Sequence, residues 1–371
     1  MKDVIVIGGG LAGLINAILL NREGLSVQLF EEKRYPFHRV CGEYISNEVI
    51  PFLKKHQLYP EELEPVPINK FQLSSISGKS LHMPLDLGGF GISRHALDEW
   101  LVKIAMREGV DVVHDRVTQV NFLSDSFELQ SNSGTLHQAR LVIGAFGKRS
   151  FLDKNLSRNF IQKRSPYVGV KYHIRTDVVA NDVIALHNFH GGYCGVSRIE
   201  NDKFNLCYLS HRSNLKKHKS IEAMEAEVLR KNPQLKDILN NAESLFDKPE
   251  VINEITFEKK EPIFNHILMS GDSAGMITPL CGNGMAMAIH SAKILSELIT
   301  LNLRNGFDRS QLEKEYENQW NKHFAKRLWA GRHIQRLFGA SFTSEVAVSM
   351  GKGSGIFAKF LMKQTHGSPF S

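Results

Sequence analysis

Apolar positions follow two rhythms along this chain. Residues 4 to 7 (VIVI) form an unbroken apolar run rich in β-branched side chains, the pattern of a strand buried on both faces. Residues 14 to 20 continue as an apolar helix, and Val27–Phe30 as a second buried strand. A similar succession returns at residues 267 to 299, where the run Ile267–Met269 passes through a glycine-rich turn into a long apolar helix. Between these ends the rhythm loosens to alternation. Residues 66 to 86 and 117 to 137 alternate, the latter with SNSG as a turn, and so do runs at 168–175, 183–190, 192–198 and 204–210. A period of two predicts strands with one face in a core, here a mostly antiparallel sheet. Residues 217 to 243 interrupt it as a helical excursion. No repeat or low-complexity linker separates the two kinds of segment, so two lobes interleaved in sequence are expected.

The first strand runs into Gly8, Gly10 and Gly13, spaced GxGxxG, and the second ends at Glu31, 18 residues after Gly13. Gly8 permits a tight turn, Gly10 lets a pyrophosphate approach the backbone, and Gly13 lets helix and strand pack closely. The first helical turn, with Leu11 and Ala12, turns its partial positive charge toward the phosphates, and a carboxylate takes the ribose hydroxyls. Glu31 is preferred for that contact by spacing, with Glu32 as its neighbouring alternative. Strand, glycines, helix, second strand and acid together predict dinucleotide binding.

The far end narrows the choice of dinucleotide. Gly271-Asp272, then Pro279, Gly282, Asn283 and Gly284, lead into the helix that continues to residue 299. This stretch resembles the second FAD fingerprint of the para-hydroxybenzoate hydroxylase superfamily, which includes geranylgeranyl reductases and flavin-dependent halogenases. The resemblance implies that Asp272 holds the ribityl chain and that the helix start faces the flavin's pyrimidine edge. Residues 91 to 113 (GISRHALDEWLVKIAMREGVDVV) resemble the family's Arg-x-x-Leu-Asp helix, which makes Arg94 a cofactor candidate. The matches fall in family order across residues 4 to 299, most of the chain.

Two departures matter. The family's Gly-Ala-Asp-Gly-x-x-Ser signature reads GAFGKRS here, with Phe146 in place of the acid linked to phosphate and nicotinamide binding. Direct reduction by NADH or NADPH is therefore open, with a separate reductase as the other route; Lys148 and Arg149 either meet phosphates or are solvated. The geranylgeranyl reductase pattern Tyr-x-Trp-x-Phe-Pro-Lys keeps Tyr193 but has Gly195 and Ser197 in the Trp and Phe positions. The Trp-x-Trp-x-x-Ile-Pro pattern of halogenases is missing, which counts against halogenation.

Residues 39 to 46 (RVCGEYIS) look like a blend of the geranylgeranyl reductase and halogenase loops that run along the flavin. The resemblance implies that Arg39 and Val40 lie at the cofactor, that Gly42 admits close approach to the ring, that Cys41 sits near its face and that Glu43 is near the substrate. Cys41, Glu43 and Tyr44 are the candidates for supplying a proton. The alternative for Cys41 is the role of a small buried apolar residue.

Composition adds limits. With 371 residues, 42% hydrophobic and 23% charged, the chain has the make-up of a folded soluble protein. Its four cysteines (41, 194, 207, 281) include no Cys-x-x-Cys pair, and its sixteen histidines no His-Glu-x-x-His, so neither a metal site nor a disulfide framework is expected. The apolar N-terminus reads as strand and helix, not as a leader, and a reduced cytoplasmic setting fits best. Of 46 Lys and Arg, eight lie from Trp320 onward against one Glu, which equals the whole net charge of +7. That tail sets Trp320, Phe324, Leu328, Trp329, Ile334, Leu337 and Phe338 largely on one side, with SGIFAKFLMK repeating the theme. Peripheral membrane contact through residues 320–371 is one expectation, and packing on the body with snorkelling arginines the other. No nucleic-acid partner is expected.

The resulting expectation is an α/β fold: a Rossmann-type (GR2-like) FAD-binding domain (1–65, 88–160, 262–310) interleaved with an antiparallel-sheet substrate domain (66–87, 161–261), plus C-terminal basic helices (311–371). The resemblance implies an FAD-dependent oxidoreductase acting on a hydrophobic small molecule, first by reduction of a carbon–carbon double bond. A monooxygenase of aromatic or polyketide-like substrates, and a flavin-binding electron-transfer partner without turnover of its own, stay open.

Overall fold

The computed structural model describes residues 1–163, 165–335, 345, 348, 349 and 367–371. The chain starts with strand β1 (Lys2–Ile7), helix α1 (Leu11–Arg22) and strand β2 (Val27–Phe30). It crosses to β3 (Tyr44–Ser46), α2 (Ile50–Lys55), β4 (Val66–Ser74) and β5 (Ser80–Gly91), then returns through α3 (Arg94–Arg107) and β6 (Asp111–Val113). A hairpin, β7 (Val117–Leu123) and β8 (Ser126–Ser131), leads to β9 (Leu136–Gly144) and α4 (Phe151–Asn155). The second lobe continues with β10 (Tyr167–Arg175), β11 (Val183–Phe189), β12 (Gly192–Ile199) and β13 (Lys203–His211). Then come α5 (Arg212–His218), α6 (Ile221–Glu227), α7 (Pro233–Asn241), β14 (Glu243–Ser244) and β15 (Glu250–Ile255). The chain returns through β16 (Ile263–Phe264), β17 (Ile267–Met269), α8 (Gly284–Arg304), α9 (Arg309–Trp320) and α10 (Lys326–Gln335).

The first sheet has the order β16-β17-β9-β1-β2-β6, parallel from β17 to β6. Residues 4–7 of β1 and 141–143 of β9 are apolar and buried in one core with α1 and α8, while Gln28 of β2 is a buried polar exception. Leu11 through Leu20 are all buried, which explains why this helix shows no polar face. Asn16 is the exception in chemistry but not in burial: its Nδ2 donates to Ala12 O and to Ser270 Oγ, and Ser270 Oγ is bonded in turn to Ser291 Oγ of α8.

The second sheet has the order β14-β10-β13-β12-β11-β4-β5-β3, with β15 also on β10 and the β4–β11 pair parallel. It reaches further than residues 66–87 and 161–261: β3 pairs with the end of β5, so Tyr44–Ser46 and Gly89 to Gly91 also belong to it. The twelve-residue β5 is long enough to span both lobes. Along β10, β12 and β13 the alternation sends Val168, Val170, Cys194, Val196, Phe204 and Leu206 to one face, under α6 and α7. Tyr193, Gly195, Ser197, Cys207 and Leu209 line a cavity on the other.

The tail departs from its expected pattern. Trp320, Phe324 and Leu328 are buried against the first lobe, but Trp329 is 58% exposed, off the apolar face. The turn Asn321–Ala325 is a π-helix, which rotates the residues after it relative to an uninterrupted α-helical register. Leu337, Phe338 and the SGIFAKFLMK segment lie outside the described residues. Among those described, no helix is long and apolar enough to cross a membrane, and no cluster of His, Cys, Asp and Glu could hold a metal ion.

Candidate active site

A cavity of about 670 Å³ lies between the two sheets. Its nucleotide end is built by the turn after β1. Gly8 has φ +106°, and a Cβ there would lie 2.4 Å from Ala145 O. A Cβ on Gly13 would lie 1.9 Å from Gly8 O, so this glycine seats helix on strand and does not line the cavity. Gly13→Val is expected to eliminate soluble, folded protein, which expression yield and circular dichroism would read. Gly10, Leu11 and Ala12 line the cavity at the start of α1, which has no side-chain cap.

Glu31 is almost buried and accepts from Gly9 N (3.0 Å), Lys33 N (3.0 Å) and Arg39 Nη2 (2.9 Å). Glu32 instead turns outward onto Arg116. Arg39 also bonds Asp98 Oδ2 through Nε (3.0 Å), and Asp98 takes a fork from Arg94 (2.7 Å to each oxygen). Arg39 and Arg94 thus line the cavity already neutralised by carboxylates.

The loop from Arg39 to Glu43 is clasped from behind, carbonyl by carbonyl. Lys171 Nζ donates to Arg39 O (3.1 Å), Lys148 Nζ to Val40 O (3.3 Å) and Asn205 Nδ2 to Cys41 O (3.1 Å). Gly169 leaves room for Val40, which a Cβ there would meet at 3.3 Å. A Cβ on Gly42 would meet no protein atom within 4 Å, so the protein's own packing does not demand glycine there. Cys41 is half-buried and lines the cavity.

Glu43 corrects the expectation that it serves as a proton source near the substrate. It is fully buried with φ +54°, and its carboxylate accepts from Lys171 Nζ (2.5 Å), His173 Nε2 (2.7 Å) and Arg94 N (2.8 Å). Burial alone would push its pKa up, but the Lys171 ammonium and the His173 hydrogen bond bring it down to about 2. An acid held ionised this way anchors the loop and has no proton to give at neutral pH. Tyr44 is buried too, packed where a Cβ on Gly89 or Gly282 would touch its ring, and burial raises its phenol well above the ordinary value.

At the far end, Asp272, Pro279, Gly282 and Gly284 line the cavity, and Asn283 stands buried at the start of α8 without capping it through a side-chain hydrogen bond. Phe146 lines the wall between the two fingerprints, and Arg149 Nη2 donates to Ile161 O (3.3 Å). Sequence reasoning missed Asp98, Arg158, Lys171, His173 and Lys260, all buried charged or polar residues around this site. Asp98 lay within the quoted Arg-x-x-Leu-Asp helix and was the one with a motif to point to it.

The sequence profile of an NAD(P)-binding Rossmann-like domain matches residues 6–43. A digeranylgeranylglycerophospholipid reductase of Methanosarcina acetivorans is 25% identical over 344 residues, covering 86% of this chain and 80% of its own. A flavin-dependent brominase superposes with TM-score 0.80 at 18% identity, covering 100% of this chain and 94% of its own. A geranylgeranyl bacteriochlorophyll reductase-like protein of Thermoplasma acidophilum superposes with TM-score 0.78 at 16% identity, covering 98% and 95%. The chain is thus similar in sequence to that reductase over most of its length, and it shares its fold with the brominase and the reductase-like protein.

The residues that line this cavity fit FAD. Two helices without side-chain caps, α1 and α8, start on the same cavity, and neither carries an acidic residue in its first turn. Unpaired N–H groups and the helix dipole make each start attractive to an anion. Glu31 sits beside the first as an acceptor, and Asp272 ahead of the second.

Proposed function

We propose that this protein reduces a carbon–carbon double bond in a hydrophobic small molecule, with FAD held along the cavity from Glu31 to Gly284. The reading is carried by one arrangement: the Cys41 loop, fixed by three main-chain hydrogen bonds, sharing one cavity with the apolar side chains of Leu186, Leu209, Ile252, Ile255 and Met276. Those side chains would exclude water and align an extended apolar chain along the sheet. Reduced FAD supplies the hydride when bound. Cys41 supplies the proton from its thiol to the other carbon, and the thiolate regains a proton from solvent. Glu43 and Tyr44 play no part in that transfer; both hold the loop in place. The digeranylgeranylglycerophospholipid reductase relative supports a reductase of this kind.

The test is anaerobic. Purified protein with its flavin reduced by dithionite is mixed with unsaturated isoprenoid probes, and products are weighed by mass spectrometry. A gain of two hydrogens is expected, both of them deuterium in D2O, because dithionite supplies only electrons and the hydrogen on reduced flavin exchanges with solvent as the thiol proton does. Turnover only on admitting oxygen, with one oxygen atom in the product, would replace this reading by the hydroxylase. Because Phe146 stands where the family carries an acid, bleaching of the flavin by NADPH or NADH is expected to be slow compared with dithionite.

A further inference from the structure

Lys260 is 4% exposed and has no carboxylate within salt-bridge distance among the described residues. Its Nζ donates to Lys148 O and to Asp272 O, each at 2.7 Å, and lies 4.3 Å from the centre of the Phe160 ring. Those two carbonyls belong to the two loops that flank the cavity, after β9 and after β17. Beside it, the fully buried Arg158 bonds Asp153 Oδ1 (3.0 Å), Ser273 O (2.9 Å) and Glu261 O (3.0 Å). Ser273 Oγ closes the set, accepting from Gly147 N (2.8 Å). Burying an ammonium against neutral partners costs several kcal/mol. Arg158 meets that cost with Asp153; Lys260 has no such partner among the described residues.

We infer that Lys260 is a positioning residue for the cofactor, its charge fixing the Gly271–Ser273 turn and the peptide between residues 148 and 149 where they border the FAD phosphates and ribityl chain. The inference rests on the FAD reading above. In a trans peptide the N–H is antiparallel to the C=O. Two carbonyls drawn onto Lys260 therefore aim two N–H groups away from it, and the buried positive charge adds to the attraction for an anion. The anionic cofactor adds opposite charge to a site where no carboxylate among the described residues touches the ammonium. The groups facing the ammonium are Asp153 and Asp272, which favour its charge, and Arg158 and Lys148, which oppose it; burial is the largest influence and takes its pKa down to about 8.

FAD affinity of stripped protein, measured by flavin fluorescence from pH 6.5 to 9.5, tests this. Wild type is expected to weaken as pH rises through about 8, as Lys260 loses its proton. Lys260→Arg keeps its charge and is expected to bind FAD without that step. Lys260→Met is expected to bind roughly ten- to a hundredfold more weakly at pH 7, the scale of losing hydrogen bonds to a charged group. A flat wild-type profile, a step retained in Lys260→Arg, or Lys260→Met binding as wild type does would each overturn the inference. If Lys260→Met does not fold, the two pH profiles decide alone. Wild type that takes up no FAD at pH 7 would instead sink the flavin reading itself.

Discussion

Glu43→Ala is expected to lower stability by about 3–5 kcal/mol, the cost of stranding a buried charge when its partner is removed. The substitution leaves Lys171, fully buried, facing only Arg39 O, and deprives Arg94 N of its acceptor. Thermal unfolding of the stripped protein would show the loss, and a midpoint within a degree of wild type would contradict it. The same group predicts the acid limb. Its folded pKa of about 2 lies below the ordinary glutamate value of 4.5, so its contribution is complete above that value and disappears as pH falls toward 2. Glu43→Gln should lose stability at pH 7 and much less relative to wild type near pH 2.

Cys41→Ala is the substitution with the largest expected effect on turnover. Loss of a general acid commonly costs a factor of about 10²–10⁴. The drop should appear in product formation from pre-reduced protein, with FAD affinity within about twofold of wild type, since a side-chain truncation of this size leaves the main-chain clasp intact. The Lys148, Lys171 and Asn205 bonds all go to carbonyls and none to the thiol. Turnover unchanged in Cys41→Ala would assign the thiol to packing alone, and the proton to solvent.

The two ends of the nucleotide lobe were legible because their chemistry is local. Glycines at fixed spacing, an apolar strand and an uncapped helix start are properties of short segments, and Ile267–Met269 was bounded to the residue. The strands from 168 to 210 were legible for the same reason, as alternation. What the chain hides are pairings made across great separations. Glu43 looked like a free acid on a loop, and nothing nearby in sequence announces Lys171 or His173. No motif or period marks Lys260 or Arg158, and only the packed structure places them behind Asp272 and Ser273. Trp329 failed for a different reason: one π-helical turn breaks the period on which the amphipathic reading depended.

The joint between α1 and α8 also bears on how the protein is made. Asn16, Ser270 and Ser291 tie the first helix to a partner that leaves the ribosome far later, and both helix starts open on one cavity. The nascent nucleotide turn therefore waits, its apolar helix uncovered, while the whole second lobe is synthesised. A chain interrupted before β17 is expected to lack one of the two helix starts and the Ser270 and Ser291 hydroxyls that tie α1 in place.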